Sequence, residues 1–145
     1  MDSICPNVAE PTSLSSEVDA LVIGGGPAGL SAALAFARQL HTVILFDSNL
    51  YRNAKAARMH VVSTWDNHPP AEYRDAAREE LTTRYDTVWV IDTEVKRVVK
   101  LDQGRFTAHD ADGKQWTGRK LLLATGSKDV FLDIPGFSEC WGTSM

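Results

Sequence analysis

The sequence of 145 residues lacks several features that would assign it to a class at once. No apolar run approaches the roughly 20 residues that a membrane-spanning helix needs. The N-terminus has no basic segment followed by an apolar stretch, so no secretory signal is predicted. The formal net charge is −4, which offers no basic surface for nucleic acid or for an anionic membrane. We therefore expect a soluble, cytoplasmic protein whose partners include neither nucleic acid nor a membrane.

Cysteine is also scarce, with Cys5 and Cys140 near opposite ends of the sequence. They form neither a C-x-x-C motif nor a cluster with metal-ligand spacing, so no metal site is predicted. Two free thiols in a reducing compartment are favoured over a structural disulfide. Residues 1–17 are dominated by Pro, Ser, Thr and Glu and are predicted to be a disordered tail. The folded domain is therefore expected to span residues 18–145.

The first half of this domain predicts an α/β fold built on a parallel sheet. The stretch VDALVIG, which begins at Val18, is a continuous apolar run typical of a strand covered on both faces. Pro27 suits the first turn of a helix, which is expected to continue to about Leu40. The stretch TVILFD then predicts a second buried strand that ends at Asp47. Strand, helix and strand together indicate a βαβ unit.

The second half is less regular. Residues 48–70 show no sustained period and are predicted to be irregular, with at most one short helical turn. A helix is expected from Pro70 to about Tyr85, with its Arg and Glu residues on a solvated face. TVWVID predicts a third strand, and alternating segments between residues 94 and 117 predict a small antiparallel β-meander. RKLLLATGS is predicted as a further buried strand, followed by a turn at residues 135–136.

The glycines of the first half carry the strongest chemical signal, a G-x-G-x-x-G motif between a predicted strand and a predicted helix. Gly24 would permit the tight turn, Gly26 the approach of a pyrophosphate, and Gly29 close packing of helix on strand. The anion would lie at the N-terminus of the helix. Asp47 follows after about 20 residues, where an acid binds a ribose hydroxyl and repels a 2′-phosphate. NAD and FAD both fit this pattern, and an ordinary glycine turn is the alternative.

Several stretches taken together resemble the thioredoxin-reductase-like flavoproteins. They are VIGGGPAGLSAAL, FDSNLYRN, RMHVVSTWD, and LLLATGS followed by IPGFSECWG. The sequence is most similar to the fungal branch found in secondary-metabolite clusters, which includes the dithiol oxidases of the gliotoxin type. The resemblance covers about residues 18–144. It implies a Rossmann-like FAD-binding domain of an FAD-dependent oxidoreductase acting on a small molecule, and it favours FAD over NAD as the cofactor.

The resemblance also implies which residues bind the cofactor. The glycine loop would hold the FAD pyrophosphate, Asp47 the adenosine ribose, and Val95 would lie near the adenine. Two of the residues expected to contact the cofactor have a simpler explanation. His60 could be a surface imidazole, and Asn53 could be a turn former. Trp65 and Trp141 are expected to pack rather than to stack on a ligand. The full expected set is Gly24, Gly25, Gly26, Pro27, Ala28, Gly29, Asp47, Tyr51, Asn53, His60, Val95, Ala124, Thr125 and Gly126.

The sequence departs from the pattern of this family in one respect. Family enzymes carry an NADPH-binding domain with a redox C-x-x-C, inserted after the segment that matches ECWG. Neither occurs in these 145 residues, and Cys140 matches neither redox cysteine. No catalytic residue is therefore assigned. The resemblance implies an oxidoreductase whose site is closed by a homodimer or a complementing subunit. The alternative is a truncated, non-catalytic remnant, or an FAD-binding or scaffolding subunit that needs a partner chain.

Overall fold

The computed structural model describes residues 17–140, apart from the side chains of residues 138 and 139. The predicted tail up to residue 16, with Cys5, and also Trp141 lie outside this range. Within the range, no helix is both long enough and apolar enough to cross a membrane. The elements are β1 (Val18–Ile23), α1 (Pro27–Arg38), β2 (Val43–Asp47), α2 (Pro70–Arg84), β3 (Val88–Asp92), β4 (Val95–Lys100), a 3₁₀ turn (Asp102–Gly104), β5 (Phe106–Asp110), β6 (Gln115–Leu123) and α3 (Phe137–Cys140).

The strands form one mixed sheet of six in the order β3-β2-β1-β6-β5-β4. The first four of these pair in parallel, and β4, β5 and β6 pair antiparallel. The predicted α/β class, the three parallel strands and the β-meander are confirmed. Strand β1 lies between β2 and β6, and its apolar residues are buried on both faces, with Ala20 and Val22 in one cluster and Leu21 in the other.

Strand β6 corrects one expectation, because KQWTG and RKLLL form a single strand rather than two. Its first half pairs with β5 and its second half with β1, and Gly118 belongs to both registers. A Cβ atom added at Gly118 would lie 2.6 Å from Leu21 Cγ, so the change of partner requires glycine. The strand is also less buried than expected, since Leu123 at its end is 65% exposed.

Two apolar clusters hold the layers together, one on each face of the sheet. Helices α1 and α2 pack on one face, where Leu30 and Leu81 join Leu45. On the other face Phe46 of β2 meets Trp116 of β6 edge to face, with ring centroids 6.0 Å apart, and Ala108 of β5 lies in the same cluster. Strands β1 and β2 therefore carry helices on one side and the meander on the other, which is why their sequences are apolar apart from Asp19 and Asp47.

The helices differ from expectation at three points. Helix α1 ends at Arg38 rather than near Leu40, because Leu40 takes the left-handed conformation with φ of 61°. The helix α3 after the predicted turn at residues 135–136 was not expected. The Arg and Glu residues of α2 do not all lie on a solvated face, since Arg74 is buried and the side chain of Arg78 is only 24% exposed. Residues 48–69 are irregular, as predicted, and contain turns but no helix.

Candidate functional site

The carboxyl ends of the parallel strands open into a cleft of about 720 Å³, within the usual range for small-molecule sites. Ligands bind at this edge in open α/β sheets because the loops there diverge between neighbouring strands. The turn after β1, the end of β2 with the segment that follows it, the start of β4 and the end of β6 form its walls. The cleft is therefore built from four separate parts of the chain.

Two glycines of the loop are required by close backbone contacts. Gly24 has φ of 116°, and a Cβ atom added to it would lie 2.2 Å from the carbonyl oxygen of Ala124. A Cβ atom added at Gly29 would lie 1.8 Å from the carbonyl oxygen of Gly24. The first contact places β1 against the end of β6, and the second places α1 against the turn. Both match the roles expected from the sequence.

Gly26 differs from these two because a Cβ atom there would meet nothing within 4 Å. It is the N-cap of α1, with no side chain capping the helix, no acidic residue in the first turn and Pro27 next. The first N–H groups of a helix have no partner within the helix, and the helix dipole adds positive potential there. Gly26 and Pro27 line the cleft, which puts the N-terminus of α1 at its wall, so the turn fits a phosphate or pyrophosphate group.

Asp47 is the most buried charged residue on the cleft wall, at 1% exposure. Its Oδ1 accepts the backbone N–H of Asn49 at 2.9 Å. Its Oδ2 accepts the hydroxyl of Tyr51 at 2.5 Å and Nη1 of Arg78 at 3.0 Å. The carboxylate lies directly under the glycine loop, since a Cβ atom at Gly25 would be 2.0 Å from Oδ2. Gly25 is therefore required by Asp47 and not by the backbone turn.

Arg78 joins Asp47 to a second carboxylate at the same edge. Its Nη2 donates to both oxygens of Asp92, at 2.8 and 2.9 Å. Burial lowers the pKa of Arg78, but hydrogen bonding to Asp92 and the charges of Asp92 and Asp47 outweigh it and raise the pKa. Burial likewise raises the pKa of Asp92, while hydrogen bonds from Arg78 and Asn49 lower it below its usual value. Arg78 and Asp92 are therefore both charged near neutral pH.

Tyr51 and Arg74 form a second contact beside Asp47. The guanidinium of Arg74 lies 3.8 Å from the centre of the Tyr51 ring, and its Nη1 donates to Asn53 Oδ1 at 3.1 Å. Burial, followed by the hydrogen bond to Asp47 and the charge of Asp47, raises the pKa of Tyr51 to about 12. The phenol thus stays protonated and serves Asp47 as a donor. Asn53 is held by α2, so it does more than form a turn.

Most of the expected site residues line this one cleft, although they come from four separate parts of the sequence. The exceptions are Ala28 and Gly29, in the first turn of α1, and His60. The side chain of His60 is 62% exposed, and its Nδ1 lies 3.5 Å from Asp66, so a cofactor contact for it stays a prediction. Trp65 packs edge to face against Tyr73 of α2, as expected for a packing residue.

The sequence analysis missed four polar residues at the site, Arg74, Arg78, Asp92 and Asp129. Arg74 and Arg78 are four residues apart, so they share one side of α2, beside its apolar face. That spacing was a usable signal. Asp129 accepts from Arg52 Nε at 3.0 and 3.1 Å and connects the segment after β2 with the segment after β6. Nothing local in the sequence indicates that pair, which is separated by 77 positions.

Comparison with known proteins extends this picture. Residues 18–144 match the family model described as pyridine nucleotide-disulphide oxidoreductase. The chain is 52% identical over 134 residues to the thioredoxin reductase tcpT of Claviceps purpurea and 52% identical over 128 residues to the thioredoxin reductase aclD of Aspergillus oryzae. These alignments cover 92% and 88% of this chain but only 42% and 40% of the relatives. The chain thus spans about two fifths of their length.

Solved structures agree with the sequence relatives. The crystal structure of HlmI superposes with a TM-score of 0.85 at 34% identity, covering 92% of this chain and 42% of that one. A putative thioredoxin reductase TrxB from Bacillus anthracis gives a TM-score of 0.83 at 33% identity, with 86% and 42% covered. The resemblance inferred from the sequence motifs, including its fungal branch, is confirmed.

Proposed function

The chain belongs to the pyridine nucleotide-disulphide oxidoreductase family, and on this premise we propose that it binds FAD as part of a thioredoxin-reductase-like oxidoreductase. The proposed substrate is a small molecule of fungal secondary metabolism, and the proposed compartment is the cytoplasm. The similarity to fungal thioredoxin reductases supports the proposal at the level of the family.

The observation that carries the proposal is the glycine turn with Asp47 beside it. Gly24 and Gly29 are fixed by backbone contacts, whereas Gly26 presents an open surface at the N-terminus of α1. The pyrophosphate would lie on that surface. Asp47 would accept a hydroxyl of the adenosine ribose, and Val95, on the wall formed by β4, would lie near the adenine.

When bound, FAD would supply the redox chemistry, and the residues described here would hold its adenosine and pyrophosphate portions. Thr125 and Gly126, after β6, also line the cleft. The sequence of 145 residues contains no C-x-x-C, so no dithiol step is assigned to its side chains. Exchange between flavin and a disulfide requires a thiolate pair, which in this proposal lies outside these 145 residues.

A second candidate function is an FAD-binding or scaffolding subunit without catalytic activity of its own. Apolar side chains are exposed at and beyond the end of β6, including Leu123, Val130, Leu132 and Ile134, at 53% to 94%. Apolar groups concentrated in this way favour a protein contact. A second copy of the chain or a complementing subunit would cover them, which is compatible with either function.

The test is the visible absorption spectrum of the purified chain after FAD has been added and the excess removed. Wild type is expected to retain flavin bands. The matched control is Gly26→Val, whose side chain projects from a position with open space around it and so should leave the fold intact. The same side chain would block the pyrophosphate, so this variant is expected to lose the flavin.

Two results would contradict the proposal. Wild type without retained flavin would show that the loop does not bind FAD in this chain. Equal retention by wild type and Gly26→Val would show that flavin binds elsewhere. If FAD is retained, bleaching of the flavin by NADPH, measured with and without a candidate partner, separates an oxidoreductase from a binding subunit.

A further inference from the structure

Two carboxylates lie side by side at the edge of the cleft. Asp47 ends β2 and Asp92 ends β3, and the parallel register places them as direct neighbours. Their side chains are 2% and 54% exposed, so the first is screened far less by water than the second. Two like charges at neighbouring positions disfavour each other's ionised form unless a cation lies between them.

Arg78 provides that cation. It reaches from α2 with Nη1 on Asp47 and Nη2 on both oxygens of Asp92, so one guanidinium fixes both acids. Bidentate pairing with a carboxylate defines the orientation of the guanidinium as well as its distance. Asn49 donates from its side chain to Asp92 and from its backbone to Asp47, which closes the network on the side of the loop.

The network leaves one oxygen of Asp47 able to accept a hydrogen bond from a ligand. Its Oδ2 already accepts from Tyr51 and Arg78, while Oδ1 accepts the N–H of Asn49. A carboxylate oxygen has two lone pairs, so Oδ1 can accept one further donor. The contact of Oδ2 with Gly25 and the hold of Arg78 keep the carboxylate from turning.

We propose that Arg78 is a positioning residue for recognition of the adenosine ribose, because it holds the carboxylate of Asp47 oriented toward a ribose hydroxyl. This inference rests on the proposed function. Arg78 does not line the cleft, so its effect on a nucleotide passes through Asp47. Loss of Arg78 should therefore weaken recognition of the ribose hydroxyls more than binding of the phosphates.

The experiment measures the affinity of the 145-residue chain for ADP and for 2′,3′-dideoxy-ADP by calorimetry. A hydrogen bond to a charged group predicts that wild type prefers ADP by roughly tenfold. In Arg78→Met, which keeps much of the apolar stem, this preference should fall to about twofold or less. Asp92→Asn should give an intermediate preference. Arg84→Met is the control, since Arg84 lies on the same helix, is 71% exposed and pairs only with Glu80 among the ion pairs described.

A merely structural role of Arg78 would weaken both nucleotides in proportion and leave the ratio unchanged. An unchanged ratio in Arg78→Met, with wild type preferring ADP, overturns the inference and leaves the proposed function standing. Should Arg78→Met fail to fold, an unchanged ratio in Asp92→Asn overturns it equally. A wild type that binds FAD but ignores the ribose hydroxyls also overturns it. A wild type that binds neither nucleotide nor FAD overturns the proposed function together with this inference.

Discussion

Three aspartates end strands of this fold, and two of them are almost completely buried, Asp47 at 1% and Asp110 at 5% exposure. Asp110 lies at the hairpin between β5 and β6, and its described donors all come from that hairpin. They are the N–H groups of Asp112 and Lys114 and the indole N–H of Trp116. Asp47 has two donors of this local kind, the N–H of Asn49 and the hydroxyl of Tyr51. Its cationic partner, Arg78, comes from a helix 31 positions away.

The difference separates a structural acid from a candidate ligand-binding one. Three neutral donors within six residues satisfy Asp110, and its hairpin closes around it. Asp47 is held by tertiary contacts and lies on the wall of the cleft. Burial alone therefore does not identify a functional carboxylate in this chain. The distance in sequence of its partners, and the presence of a cation among them, are more informative.

The largest expected effect is on stability and concerns one glycine near each acid, Gly29 in the loop beside Asp47 and Gly113 in the hairpin of Asp110. Gly29→Ala places a Cβ atom 1.8 Å from a backbone oxygen of the loop, which only a backbone shift can relieve. We expect a loss of about 3 kcal/mol or more in the free energy of unfolding, measured by urea denaturation. The hairpin counterpart is Gly113→Ala, where φ is 81° but the surrounding space is open.

That hairpin substitution should cost only about 1 kcal/mol, the penalty of a left-handed residue with a Cβ atom. Equal losses for the two glycine variants would contradict the comparison, since they would mean that the loop and the hairpin tolerate a side chain equally well.

Asp110→Ala should have the next largest effect on stability. It leaves the buried indole N–H of Trp116 without its acceptor, and we expect a loss of about 2–3 kcal/mol. Asp112→Ala, an exposed change in the same turn, is the control and should alter stability by less than about 0.5 kcal/mol. Asp110 pairs in register with Val95, which lines the cleft. A role of Asp110 in the site would therefore be detected more directly by the affinity for ADP than by stability.

If Asp110 is purely structural, the affinity of folded Asp110→Ala for ADP should remain within about twofold of wild type, because none of its hydrogen bonds reaches the cleft. A tenfold loss of affinity would show that the hairpin also positions the nucleotide site, and the two acids would no longer differ in kind.

The sequence predicted well those parts of the fold and of the site that depend on short-range signals. Continuous apolar strands, a glycine motif and the D-A-D-G turn are short-range signals, and they located β1, β2, the loop and the hairpin. The partners of Asp47 depend on how α2 packs over β2 and β3. The spacing of Arg74 and Arg78 places them beside the apolar face of α2, but it does not show which acid they reach. Arg78 was read as solvated. The continuity of β6 through Gly118 was missed for a similar reason, because glycine signals a turn as readily as a close approach to Leu21.

The smallest effect expected is a change in the titration of Tyr51, which reports on Asp47 directly. Its folded pKa is raised to about 12 by burial first and then by its hydrogen bond to Asp47 and the charge of Asp47. The unfolded value is about 10, so the folded state holds this proton more tightly. The resulting stability is fully present below about pH 10 and is lost as the pH rises through about 12.

The phenolate absorbance of wild type should therefore show a late step that Tyr51→Phe lacks. In Asp47→Asn the hydrogen bond is weakened and the charge is gone, so this step should move to lower pH. Asp110→Asn is the matched control and should leave it in place, because Asp110 donors do not include Tyr51. A late step that survives Asp47→Asn unchanged would assign the high pKa to burial alone, and the charge of Asp47 would then be less closely coupled to its neighbours than its geometry indicates.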